Sequence, residues 1–185
     1  MLNAGVDGLL IETVTSIRNL QPMLAGARDA ADGMPVLVSF VVDDKGDLLG
    51  DGLNIEAAVL YAEKHGANSV GVNCCSLAAA NAAVPRMVAS ATTPVTVRPN
   101  AGNPVQTQDG PVWHEDPEAF ARACVEWKRA GAAWWQLLRN HGGYDSRYGR
   151  CAQYIEPENG SIESPPPAGA VFLLAVRTST LLPKR

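Results

Sequence analysis

Four side chains able to hold a proton, a metal or an amino acid recur at the same kind of place in this chain. Glu12, Ser39, Cys74 and Asn100 each lie at or just past the end of a short apolar run. A carboxylate can take an ammonium group, a thiol can become a metal ligand or nucleophile, and a hydroxyl and a carboxamide can orient either. The most pointed signal is Gly71-Val72-Asn73-Cys74, which sets a thiol at the tip of the apolar run 69–72. Each residue also has a plainer reading. A glutamate at a strand end can cap a neighbouring helix, Ser39 can be a small strand residue, and Asn100 in Pro99-Asn100-Ala101-Gly102 can be turn chemistry. Cys74 and Cys75 are adjacent, and neighbouring side chains diverge in extended chain, so the pair supplies one metal ligand more readily than two. Cys124 falls on an apolar helix face and reads as core. His65 at a helix end and His114 in a polar loop lack ligand spacing, and Asp43, Asp44 and Asp47 form a breaker-rich turn without calcium-loop register.

The elements that must position these residues alternate. An apolar run at 8–12 is followed by helical spacing over 16–31, and Pro35 opens the strand-like VLVSFVV. A helix is predicted from about 54 to 65, closed by Gly66, and a third strand runs to Asn73. A helix over roughly 80–91 leads to Pro94 and the strand VTVR. Asp116-Pro117-Glu118 then starts a helix with Phe120, Ala123, Cys124 and Trp127 on one face, ending at Gly131. Four β/α units in residues 1–133 predict a parallel sheet. No glycine-rich phosphate loop follows the first strand, so a (β/α) barrel is favoured over a doubly wound sheet. In a barrel the four strand-end residues collect on one face. Four units amount to half of an eight-unit barrel, here the C-terminal half, and the sequence opens inside a helix-to-strand junction, so further barrel is expected before Met1.

Charge divides the chain at the same place. Residues 1–133 hold 9 basic and 15 acidic side chains, whereas 134–185 hold 6 and 4. An acidic body without a basic, aromatic-interleaved stripe excludes nucleic-acid binding through such a face. The run 168–176 is too short to span a bilayer, and four irregularly spaced cysteines without a secretory signal fit a reducing cytoplasm better than a disulfide framework.

Taken in order, Leu9-Leu10-Ile11-Glu12-Thr13, Pro35-Val36-Leu37-Val38-Ser39-Phe40, Gly71-Val72-Asn73-Cys74 and Pro99-Asn100-Ala101-Gly102 resemble the homocysteine S-methyltransferase family. The last element is most similar to the homocysteine module of the cobalamin-dependent type. The resemblance implies a (β/α)8 barrel in which three cysteine thiolates hold zinc and the substrate thiol takes the open position, so that the metal stabilises a thiolate nucleophile near neutral pH. It implies Cys74 as the first zinc ligand and Glu12 as partner of the homocysteine amino group, with Ser39, Asn73 and Asn100 in support. The reaction implied is methyl transfer from a donor to the sulfur of homocysteine, giving methionine. Cobalamin or a folate would enter only through other domains, and the sequence leaves the donor open.

The chain departs from that pattern after Gly131. Where the family places a strand and then Gly-Gly, Cys-Cys and Gly-Thr, supplying the other two ligands, this chain reads Trp134-Trp135-Gln136-Leu137-Leu138-Arg139-Asn140-His141-Gly142-Gly143. Two tryptophans and a glutamine require the codons TGG TGG CAR, and a shift of one base turns them into GGT GGC, which is Gly-Gly. Synonymous codons for the residues that follow permit Ser-Cys-Cys-Gly-Thr in that shifted frame. Residues 134–185 are therefore expected to be an irregular tail outside the family, either translated out of frame or a disordered Pro-rich extension around Ser164-Pro165-Pro166-Pro167. With two of three thiolates absent, the fragment is expected to be inactive alone and to self-associate through unpaired strand edges. Two other readings stay open: a different barrel enzyme such as a lyase with Glu12 as acid or base, and a non-catalytic barrel remnant.

Overall fold

A computed structural model describes residues 7–31, 33–100, 102, 104–108, 110–113, 117–135 and 172–176. Four parallel strands carry the predicted alternation: β1 (Gly8–Val14), β2 (Val36–Phe40), β3 (Ser69–Asn73) and β4 (Val95–Arg98). Each is followed by a helix: α1 (Ile17–Ala31), α2 (Ile55–Lys64), α3 (Leu77–Ser90) and α4 (Pro117–Ala130). Between β4 and α4 a two-stranded antiparallel ribbon intervenes, formed by β5 (Pro104–Thr107) and β6 (Gly110–Trp113). The sequence reading lacks this ribbon, because prolines at 104 and 111 break the alternation that marks a strand. Two further strands, β7 (Trp134–Trp135) and β8 (Phe172–Val176), complete a six-stranded sheet in the order β7-β4-β3-β2-β1-β8.

Local chemistry explains the helix starts. The Asn54 side chain accepts from Ala57 N at 2.8 Å and Ser76 Oγ from Ala79 N at 3.0 Å, so each satisfies an amide the first helical turn leaves unpaired. The Ser76 cap opens α3 at Leu77, three residues before the start that apolar spacing suggests. For α4, the Asp116 cap lies outside the described residues. Gly66 and Gly131, both at positive φ, turn the chain from α2 into β3 and from α4 into β7.

Alternation gives the sheet two unlike faces. Leu9, Ile11, Val36, Val38, Phe40, Val70, Val72, Val95 and Val97 are buried in one apolar cluster with Leu20 and Leu24 of α1, Ala58 and Ala62 of α2, Ala83 and Met87 of α3, and Phe120 and Trp127 of α4. The residues between them face the other way: Leu10 and Glu12, Leu37 and Ser39, Gly71 and Asn73, Thr96 and Arg98. That second face turns polar toward the carboxyl ends of the strands. It is also tight, since a methyl group at Gly71 would lie 2.1 Å from Thr96 Oγ1 and 2.4 Å from the Thr96 carbonyl oxygen.

The sheet takes in two pieces of the stretch assigned above to the tail. Trp134 and Trp135 pair in parallel with Thr96 and Val97, continuing the barrel order by one more strand. Phe172–Val176 pairs antiparallel along β1, from Gly8 opposite Val176 to Glu12 opposite Phe172. The β1 edge, expected to be open, is therefore covered by the chain's own residues.

Candidate functional site

The carboxyl ends of β1 and β3 are joined by one side chain. Register along β1 and β2 advances by three residues against two between Ile11 and Val14, a bulge, and within it Thr13 adopts φ 66°. A β-branched residue in that region is a genuine outlier and persists only where neighbours over-determine it. Asn73 does so: its Oδ1 accepts from the Thr13 backbone N–H at 3.1 Å while its Nδ2 donates to Thr13 Oγ1 at 3.0 Å. The same Nδ2 lies 3.3 Å from Cys74 Sγ, and Thr13 Oγ1 approaches that sulfur at 3.9 Å. Cys74 is itself left-handed, at φ 52°. Bulge, clamp and turn together aim one thiol outward at the end of β3.

Glu12 and Arg98 form an ion pair on the polar face, with side chains only 13% and 10% exposed. Their strands are separated in the sheet by β2 and β3, so the pair reaches across that face and does not join neighbours. Burial pulls the Arg98 guanidinium below its ordinary pKa, and the Glu12 carboxylate partly restores it. At Cys74, desolvation of the crowded sulfur is the largest effect and pushes the thiol up, with the negative charge of Glu12 acting the same way. The hydrogen bonds from Thr13 and Asn73 and the charge of Arg98 oppose it without reversing the direction. The free thiol is thus protonated at neutral pH, although its surroundings are those that would hold a thiolate once a cation adjoined it.

The other predicted residues divide. Ser39 is fully buried on the same face, and its hydroxyl has no hydrogen-bond partner among the described residues. Asn100 is brought alongside by its backbone, the amide donating to the Cys75 carbonyl at 2.9 Å. Cys75 turns away into the apolar cluster, where burial pushes its thiol up to about 12, so the vicinal pair offers one ligand, as chain geometry predicts. Cys124 is core, again as expected. His65 Nδ1 lies 2.7 Å from the Tyr61 carbonyl and its ring stacks on Tyr61, while His114 lies outside the described residues. Asp47 is no free turn residue: it pairs with Arg86 at 2.9 Å. Among the described residues no group of three or more His, Cys, Asp or Glu could hold a metal ion. The described residues by themselves therefore do not make a metal site.

Two participants escaped the sequence reading. Arg98 closes the run Val-Thr-Val and reads there as a strand-end cation, yet it is 8% exposed. Thr13 reads as one more β-branched strand residue. Only its backbone angle makes it a contact for Asn73 and Cys74.

Comparison with known proteins gives these residues a setting. The family model described as homocysteine S-methyltransferase matches residues 1–135. Methionine synthase of Mycobacterium leprae (strain TN) is 33% identical over 128 residues, covering 66% of this chain and 10% of that protein. Methionine synthase of Mycobacterium tuberculosis (strain ATCC 25618 / H37Rv) is 32% identical over 128 residues, covering 66% of this chain and 11% of that protein. The chain thus spans about a tenth of the length of the curated relatives it matches. In structure it is similar to the homocysteine methyltransferase MmuM from Escherichia coli. The apo form superposes with TM-score 0.57 at 22% identity over 76% of this chain and 47% of that one. The metallated form gives TM-score 0.57 at 22% identity over 76% and 43%. At that identity the likeness establishes the fold, part of a barrel of the (β/α) type.

Proposed function

The chain belongs to the homocysteine S-methyltransferase family of enzymes, and from that premise we propose that its strand-end cluster is the homocysteine-binding corner of a zinc-dependent methyl transfer to the homocysteine sulfur, yielding methionine. The observation that carries this reading is the clamp in which Asn73 fixes Thr13 and Cys74 in left-handed conformations at the ends of β1 and β3. Strain held at strand ends by a dedicated side chain is characteristic of a site. Cys74 is one zinc ligand in this reading and Glu12 receives the substrate ammonium. Asn73 orients the thiol, and Ser39 and Asn100 support the pocket floor and rim.

The described residues do not complete a metal site, so no chemical step is assigned to the metal in this chain. The chain alone is inactive in methyl transfer and binds homocysteine through its polar contacts. Residues from about Trp134 onward are read as out of frame, and the family match ends close by, at residue 135. Reading the gene around the Trp134 codon tests this, and a plus-one frame without Cys-Cys disposes of it. The functional test is metal analysis and turnover of the purified full chain. The expected result is less than one tightly held zinc per chain and no methionine formed from homocysteine with methylated folate and cobalamin, S-methylmethionine or betaine. One tight zinc per chain with methyl transfer would contradict inactivity, and a Cys74→Ser variant with unchanged residual metal would contradict the ligand assignment.

The donor stays with other domains in this reading, where cobalamin or a folate would bind. A second reading, a lyase with Glu12 as acid or base, is weakened by the Arg98 ion pair, which holds the carboxylate as a charge partner.

A further inference from the structure

We propose that Arg98 receives the α-carboxylate of the substrate and that Glu12 and Arg98 together select an α-amino acid over a simple thiol. The inference rests on the homocysteine reading above and adds a recognition residue to it. Its basis is the placement of the pair. Glu12 and Arg98 stand at the carboxyl ends of β1 and β4, and strand spacing would set them about 14 Å apart in a flat sheet. They meet because both side chains converge over the concave polar face, and each is almost wholly withdrawn from water.

Withdrawing two charges costs about as much as their attraction returns, so such a pair is a poor stabiliser and needs another reason to stand there. A zwitterion supplies one. An α-amino acid carries an ammonium and a carboxylate on one carbon, matching an acceptor-only carboxylate on one side and a planar fork of donors on the other. A bound zwitterion exchanges one direct ion pair for two charge-assisted contacts and keeps the pocket neutral. Glu12 directly precedes Thr13 and Arg98 stands opposite Asn73 in the sheet, and Thr13 and Asn73 are the two residues whose side chains touch the Cys74 sulfur, so the zwitterion clamp and the sulfur corner share one site. The ligand class that spans both is a short α-amino acid bearing a thiol.

The test is calorimetric titration of the full chain with L-homocysteine, with 3-aminopropanethiol, which lacks the carboxylate, and with 4-mercaptobutyrate, which lacks the ammonium. The wild-type chain is expected to favour homocysteine over each analogue by about tenfold or more. Arg98→Met should erase the preference over 3-aminopropanethiol and leave that over 4-mercaptobutyrate, Glu12→Gln should do the reverse, and Arg98→Lys should restore part of the first. Should a single variant fail to fold by circular dichroism, Glu12→Gln/Arg98→Met leaves no charge unpaired and should bind all three thiols alike. Homocysteine binding that does not discriminate against 3-aminopropanethiol, or that survives Arg98→Met unchanged, overturns the role of Arg98 and leaves the homocysteine reading standing. A wild-type chain that binds none of the three overturns both.

Discussion

Two ion-pair regions lie on opposite sides of the same sheet, and they differ in what surrounds them. On the concave polar face, Glu12 and Arg98 are nearly dry. On the helical side, Arg86 of α3 forks to both oxygens of Glu56 on α2 at 2.7 Å, to Asp47 at 2.9 Å and to the Lys45 carbonyl at 2.9 Å, with its side chain 32% exposed. The second network ties α3 to α2 and to the turn after β2, work that a half-exposed arginine does at little desolvation cost. The first ties no neighbouring elements together. The contrast teaches that the same pair of residue types braces two helices where water reaches it, whereas the water-excluded pair braces no neighbouring elements and is the one proposed above to recognise a ligand.

The comparison breaks first at Arg98. Arg98→Met strands Glu12 as a buried charge and should destabilise the chain by about 3 kcal/mol in urea unfolding, whereas Glu12→Gln/Arg98→Met should recover most of that loss. A double variant as unstable as the single one would make the pair a structural brace like the other. Asn73→Ala comes next, with an expected cost of about 2 kcal/mol, because the Thr13 amide loses its acceptor inside the bulge. Slower reaction of Cys74 with a thiol reagent should accompany it, since the hydrogen bond from Asn73 is one of the contacts that favour the thiolate.

Arg86→Met is the smallest effect, about 1 kcal/mol near neutral pH. Its signature is the acid limb. The Arg86 hydrogen bond holds the Glu56 carboxyl below the usual glutamate range, so this stabilisation is present above that range and is lost as pH falls through the folded value. Urea midpoints measured from about pH 5 to pH 3 should therefore fall less steeply in the variant. Some slope should remain from Glu63. Burial raises its pKa, but four bonds from the amides and hydroxyls of Thr92 and Thr93 outweigh that and hold it low. Identical slopes in wild type and variant would show that the brace carries no charge coupling.

Much of the body was legible because its signals are local. VLVSF, SVGVN and VTVR read as buried parallel strands from their β-branched runs, and Asn54, Gly66 and Gly131 mark helix ends by cap and turn chemistry. Strand direction alone brings Glu12, Ser39 and Cys74 to the same end of the sheet, and the two-residue period puts Glu12 and Ser39 on one face. By that period Cys74 would follow Val72 to the other face, and its left-handed turn re-aims it. The β5/β6 ribbon was not read, although Asp109-Gly110 is a hairpin turn signal, because its prolines suppress the strand pattern on either side. The strand Phe172–Val176 was noticed only as an apolar run. Its pairing with β1 joins residues more than 150 positions apart, and no local pattern encodes such a contact.

The sequence by itself determined the β/α alternation, the family and the divergence of Cys74 and Cys75, because each depends on periodicity or on neighbouring residues. Tertiary structure alone decided that Thr13 is held left-handed by a side chain 60 residues away and that Arg98 crosses two strands to meet Glu12. Both depend on how the sheet curves and on what water it excludes, and those are properties of the assembled strands.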